Sequence, residues 1–152
     1  MPEDYLEDEY KVIQNILRVS AYFNRIGGRI SAKYNLNQQQ FTILNEVCSR
    51  EEIKQKDIVT DLFYEKSNVS KVIKKMIAMG LIEFETDEGD NRIKYLIPTE
   101  EGERIWNECL DDNLDWSREW LSGMSAAELT FALRLTERFK EMIFEDIIPE
   151  KD

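Results

Sequence analysis

Four lysines, Lys66, Lys71, Lys74 and Lys75, fall within the span 66–75, which holds no acid. Cations crowded onto one short element suit two roles: a grip on a polyanion through phosphates and base edges, or a solvated helix face. Other chemistry has few tools in this chain. Histidine is absent, which removes the commonest general base and the commonest metal ligand. Ser-His-Asp and Cys-His systems are therefore excluded. Cys48 and Cys109 are too few for a four-cysteine zinc site or a disulfide framework. No GxGxxG or Walker-A loop is present, and the only paired glycines are Gly27-Gly28. The 31 acids offer carboxylates in abundance but no pattern that singles out a catalytic or magnesium-binding pair. The expectation is no enzyme, no metal and no cofactor.

The net charge of −11 opposes a nucleic-acid partner only if it is spread evenly. It is not. Residues 1–49 carry five bases and six acids, residues 50–95 nine and ten, and residues 96–152 six and fifteen. The last third thus holds −9 of the total, and a local basic face on an acidic body is possible.

The elements that must carry that face follow from periodicity. Residues 4–34 read as one long helix, with apolar residues at Leu6, Tyr10, Ile13, Ile16, Leu17, Phe23, Ile26, Ile30 and Tyr34. Gly27-Gly28 interrupts it, which predicts a kink or a close approach to a second helix. Asn37 is suited to cap a helix over 38–49 with Phe41, Leu44, Val47 and Cys48 facing inward. A short helix over 55–63 presents Ile58, Val59 and Leu62. After a turn at Tyr64-Glu65-Lys66, Ser67 is expected to cap a helix over 68–79, closed by Gly80. Its stripe of Val69, Val72, Ile73, Met76 and Ile77 faces inward, and Ser70, Lys71, Lys74 and Lys75 face out. Short helix, tight turn, then a helix with an apolar inner and basic outer side is the layout of a helix-turn-helix.

Two strands follow, over 81–86 and 92–97, joined by Asp87-Glu88-Gly89-Asp90-Asn91, and Pro98 is expected to end the second. Such a hairpin behind the second helix is a wing. Thr99 can cap a helix running to about residue 121, and Ser125 with Glu128 forms a capping box for a last helix over 126–147, which Pro149 ends. The fold expected is mainly α with a small β-hairpin wing. Residues 35–98 form the winged helix-turn-helix, and residues 1–34 with 99–148 form a helical dimerisation region. No run approaches a bilayer span, and the acidic N-terminus lacks the plan of a signal peptide, so a cytoplasmic protein is expected and no membrane partner.

The stretch 35–102 resembles the winged-helix domain of the MarR family of bacterial and archaeal regulators. Leu36-Asn37-Gln38-Gln39-Gln40-Phe41-Thr42-Ile43-Leu44 is similar to its opening "L-T-x-x-Q-x-x-x-L" helix, and Lys56-Asp57-Ile58-Val59-Thr60-Asp61-Leu62 to its first helix-turn-helix element. Ser67-Asn68-Val69-Ser70-Lys71-Val72-Ile73-Lys74-Lys75-Met76 is similar to the recognition helix, and Gly80-Leu81-Ile82 to the "G-L-V/I" after it. Asp90-Asn91-Arg92 matches a wing "D-x-R", and Thr99-Glu100-Glu101-Gly102 a "T-x-x-G" opening the next helix. The long flanking helices fit as well.

The resemblance implies a homodimeric transcriptional regulator, a repressor on a palindromic site in double-stranded DNA. Ser67, Asn68, Ser70, Lys71 and Lys74 would then face base edges, with Asn68 suited to adenine and the lysines to guanine O6/N7. Lys75, Lys54 and Lys56 would touch phosphate. The resemblance also implies that Arg92 reaches the minor groove, with Asp90 holding its guanidinium. The apolar terminal helices, which include Trp106, Trp116 and Trp120, exceed what one small domain can cover and favour a twofold partner. A small-molecule effector pocket, lined by Tyr22, Arg25, Phe41 and Trp106, is a further implication. Cys48 and Cys109 sit on apolar stripes and are expected to be inert thiols. The alternative class is a protein–protein module, such as an acidic DNA mimic or antirepressor.

Overall fold

A computed structural model of the chain describes residues 3–147, with side chains for 7–143. Its order is α1 (Glu3–Ala32), α2 (Gln38–Ser49), α3 (Gln55–Asp61), α4 (Lys66–Ala78), β1 (Ile82–Thr86), β2 (Lys94–Pro98), α5 (Glu100–Leu121) and α6 (Ala126–Ile147). This is the mainly helical fold with one hairpin that the residue pattern predicts. Pro149, expected to end α6, lies outside the described residues, as do the side chains of Leu6 and Ile147. No helix among the described residues is long and apolar enough to cross a membrane. The chain divides into two compact units, Met1–Asn113 and Leu114–Asp152.

In the first unit, α2, α3, α4 and the hairpin enclose one apolar core. Ile43, Leu44 and Val47 of α2, Ile58 of α3, Val69, Ile73 and Met76 of α4, and Ile82 and Leu96 of the strands are all buried. Each such side chain contributes about 1.5–3 kcal/mol by leaving water. Asn37 caps α2 as expected: its Oδ1 accepts from Gln40 N at 2.8 Å, and Gln40 Oε1 accepts from Asn37 N at 2.9 Å. This reciprocal pair is a capping box that the pattern did not reveal. The hairpin pairs Ile82 with Pro98 through Thr86 with Lys94. Ile53 adds a third, single-residue rung, its carbonyl accepting Leu96 N at 2.8 Å.

Three expectations are corrected. The helix α1 runs unbroken through Gly27-Gly28 and stops at Ala32. The glycine is explained by close approach, because a Cβ on Gly27 would strike the Gln38 side chain. Ser67 does not cap α4; Glu65 is the N-cap residue and Ser67 lies inside the helix. Pro98 ends β2, as expected. Arg92 and Ile93 lie in the wing turn and not in the strand, because Asp87 Oδ1 gathers the N–H groups of Gly89 and Asp90, both at 2.8 Å, and lengthens the turn.

The turn between α3 and α4 holds Phe63 at φ 53°, in the left-handed region where a Cβ is penalised. Among the described residues, the other such non-glycine site holds an asparagine, Asn35 at φ 59°. Phe63→Asn should therefore stabilise the fold by about 1 kcal/mol. The expected reading is a rise in Tm of about 2–4 °C in thermal unfolding followed by circular dichroism.

The second unit carries the end of α5 and all of α6. Trp116 and Trp120, one helical turn apart, bring their rings to 5.9 Å. The expected capping box opens α6: Glu128 Oε2 accepts from Ser125 N at 2.7 Å, and Ser125 Oγ accepts from Glu128 N at 3.3 Å. Along α6, Phe131, Leu133 and Met142 are exposed. Within the first unit, Tyr10, Ile13 and Leu17 form an exposed apolar row on α1.

Candidate nucleic-acid interface

The inner side of α4 is fixed by Val69, Ile73 and Met76, each at most 1% exposed. Helical periodicity then sends Lys71, Lys74 and Lys75 outward, and all three are exposed. Ser67 and Asn68 are exposed in the first turns, and Ser70 is half-buried. Because α4 starts at Lys66, this exposed lysine joins the leading turn of the same helix, a position the expected Ser67 cap had hidden. Among the described residues, none of the four α4 lysines makes an ion pair. Lys11, Lys33, Arg50, Arg92, Arg104 and Arg118 each meet a carboxylate. Cations without carboxylate partners keep their full capacity for phosphate or base oxygens.

Lys56 is exposed on α3, while Lys54 precedes that helix with its ammonium 5.1 Å from the Tyr95 ring centroid. Asp57 Oδ2 accepts Lys54 N at 2.8 Å and satisfies one group at the helix start. Arg50 Nη1 bonds Asp61 Oδ2 at 2.7 Å and Glu46 Oε2 at 3.3 Å, tying the end of α3 to α2.

The wing presents Arg92 on a preformed turn. Its Nε and Nη2 donate to Asp90 Oδ1 and Oδ2 at 3.0 and 2.9 Å, and its backbone N donates to the same Oδ1 at 3.0 Å. The paired side chain raises the arginine pKa and holds the Asp90 carboxyl below the usual carboxylate range. The Arg92 side chain remains 90% exposed, so Asp90 orients the guanidinium without covering it.

The four effector candidates are less unified. Phe41 is buried in the α2 core, and Trp106 is half-buried on α5 with its indole N–H donated to Asn45 Oδ1 of α2 at 3.0 Å. Tyr22 and Arg25 are exposed on α1. Trp106 therefore joins α5 to α2, and Phe41 belongs to the core of the first unit.

Burial pushes the Cys48 thiol up to about 12, with Glu103 adding to the shift, and burial also raises Cys109. Neither thiol is a ready nucleophile near neutrality. An unfolded cysteine ionises near about 8.5. Between that pH and about 12 the unfolded chain releases a proton that the folded Cys48 retains. Its contribution to stability is thus complete below the unfolded pKa and is lost as pH rises through that window. Urea unfolding of wild type at successive pH values should show this alkaline decline, and Cys48→Ala should show a shallower one.

A helix-turn-helix with a paired-strand wing and a free basic outer helix defines the class: a winged-helix protein. A model of the MarR family matches residues 34–93, the stretch that holds α2, α3, α4, β1 and the wing turn. The transcriptional regulator MgrA of Staphylococcus aureus is 30% identical over 88 residues, 58% of this chain and 58% of its own length. The chain thus matches less than two thirds of the length of that relative. PecS, a transcriptional regulator of Dickeya dadantii, is 26% identical over 133 residues, covering 86% of this chain and 80% of PecS. A Listeria monocytogenes structure, described as a MarR family transcriptional regulator complexed with 26mer DNA, superposes with a TM-score of 0.81 at 25% identity. That match covers 88% of this chain and 89% of the other.

Proposed function

We propose that this protein is a homodimeric transcriptional regulator, without enzymatic activity, that binds a palindromic site in double-stranded DNA in the cytoplasm and represses the adjoining genes. The carrying observation is the outer side of α4, where four lysines stand free of carboxylates among the described residues, beside Ser67 and Asn68. A helix of that width enters the major groove, where amide and ammonium donors can meet base edges. Lys54, Lys56 and Lys75 supply phosphate contacts, and Arg92, aimed by Asp90, supplies the minor-groove contact. The Listeria relative was solved on DNA, which supports the same partner.

The exposed apolar rows of α1 and α6 are the surfaces that a second copy would cover. A small-molecule effector near Tyr22, Arg25, Phe41 and Trp106 would bias the spacing of the two recognition helices and release the DNA. The rival reading, an acidic DNA mimic, needs a negative recognition face, and the charged residues of α4 are all lysines.

The test is selection of bound sequences from a random duplex pool with the purified protein. The expected product is a palindrome with half-sites about one helical turn, roughly 34–36 Å, apart. Flat recovery overturns the reading. Given a selected site, Arg92→Ala should weaken binding about tenfold while leaving base preference in the half-sites almost intact. Lys71→Ala should weaken binding and also relax preference at one or two positions. Equal affinity in wild type and both variants at moderate salt would remove these side chains from the interface.

A further inference from the structure

The end of α4 is fastened by residues from two other elements. Gly80, at φ 72°, closes the helix, with Gly80 N donating to Ile77 O and Leu81 N to Met76 O. This is a Schellman closure, which uses the N–H groups of Gly80 and Leu81 and leaves their carbonyls to find partners. Both carbonyls go to one residue at the start of α5. Thr99 Oγ1 donates to Gly80 O at 2.5 Å, and Thr99 N donates to Leu81 O at 3.0 Å. The same hydroxyl accepts Gly102 N at 3.0 Å, so it also caps α5. Gly102 has no Cβ, and any Cβ there would strike the Leu81 carbonyl. On the other side, the buried Gln40 of the α2 capping box points its Nε2 to Met79 Sδ at 3.8 Å.

We infer that Thr99 is a positioning residue for DNA recognition: its hydroxyl couples the exit of the recognition helix to the first turn of α5 and thereby fixes where α4 stands relative to α5. The hydroxyl is suited to this because it is donor to one helix end and acceptor from the other, so neither helix can shift without losing a bond. The second bond of Thr99, from its N to Leu81 O, joins two backbone groups, which have little freedom to follow a displacement. Thr99 itself is half-buried at a junction between elements and not on the exposed side of α4, so its effect on DNA is indirect. A looser junction lets the two recognition helices of a dimer sample several separations, whereas a tight one selects a single separation.

This inference rests on the DNA-binding reading above, and the two fail in different ways. The measurement is affinity for duplexes carrying the selected half-sites at the optimal spacing and at one base pair more or less. A one-base-pair step moves a half-site by about 3.4 Å and rotates it about the helix axis. Wild type is expected to discriminate by about tenfold or more between those spacings. Thr99→Val keeps the branched shape and removes the hydroxyl, and its discrimination should fall to about threefold or less. Thr99→Ser keeps the hydroxyl and should restore the wild-type profile. Circular dichroism establishes that each variant is folded, and Thr99→Ala carries the same arm if valine at this position is not tolerated. A uniform loss of affinity with spacing discrimination intact would mark a merely structural threonine and overturn the inference. A wild type that selects no site would overturn the DNA-binding reading and this inference together.

Discussion

Gly102→Ala should destabilise the protein by about 3 kcal/mol and lower Tm by about 6–12 °C. Intrinsic propensity points the other way, since alanine in a helix is favoured over glycine by about 1 kcal/mol. The local geometry outweighs it. The new methyl would meet the Leu81 carbonyl, a backbone group, at a separation no carbon can tolerate. That carbonyl cannot retreat cheaply: it accepts Thr99 N, and Leu81 N is engaged by Met76 O. Leu81 is 2% exposed and Ile82 1%, so movement of the segment also disturbs the core. Urea unfolding should show a lower midpoint with an unchanged slope. An alanine variant as stable as wild type would mean that α5 and β1 can separate without cost, and the account of the T-x-x-G junction would fail.

What the sequence reveals and what it hides divides along the range of the interactions. Amphipathic periodicity located α2, α4, α5 and α6 because burial of one face is written every three or four residues, as with Val69, Ile73 and Met76. Boundaries set by competing local hydrogen bonds were less legible. Ser67 is a better intrinsic cap than Glu65, yet Phe63 in the left-handed region reverses the chain early and starts the helix one residue beyond Glu65. Arg92 reads as strand because Arg92-Ile93-Lys94 alternates polar and apolar, but the Asp87 and Asp90 carboxylates capture the backbone into a turn first. The basic face of α4 was legible because no acid interrupts 66–75. Its lack of carboxylate partners was not, since nearby Glu65 or Glu83 could have supplied them in another geometry. Least legible were contacts between distant residues: the Ile53 rung, the Trp106–Asn45 bond and the Thr99 hydroxyl on Gly80. Thr99 and Gly102 were readable as a cap and a motif, but nothing local says that the carbonyl of the distant Leu81 would occupy the space that glycine leaves.

Replacing Lys71, Lys74 and Lys75 together with alanine should reduce affinity for the selected duplex about a thousandfold or more at physiological salt. Each lysine is exposed and without a carboxylate partner among the described residues, so its charge is not already neutralised. The proposed dimer would lose six cations, and each phosphate contact of that kind releases counterions when it forms. The slope of log affinity against log salt should therefore become shallower by about 5 if all six touch phosphate, and by less to the extent that Lys71 and Lys74 address bases instead. The acidic remainder amplifies the loss. A chain of net charge −11 becomes −14, and only screening over about 8–10 Å separates the DNA from those carboxylates. Stability supplies the control, because the three side chains leave the core untouched and alanine suits a helix surface, so Tm should change by no more than about 2 °C. The same substitutions made on Arg104 and Arg118, already paired with Glu101 and Asp115, should change affinity and slope far less. Comparable losses from the two sets would mean that net charge alone governs binding, and that the free lysines of α4 hold no privileged place against the duplex.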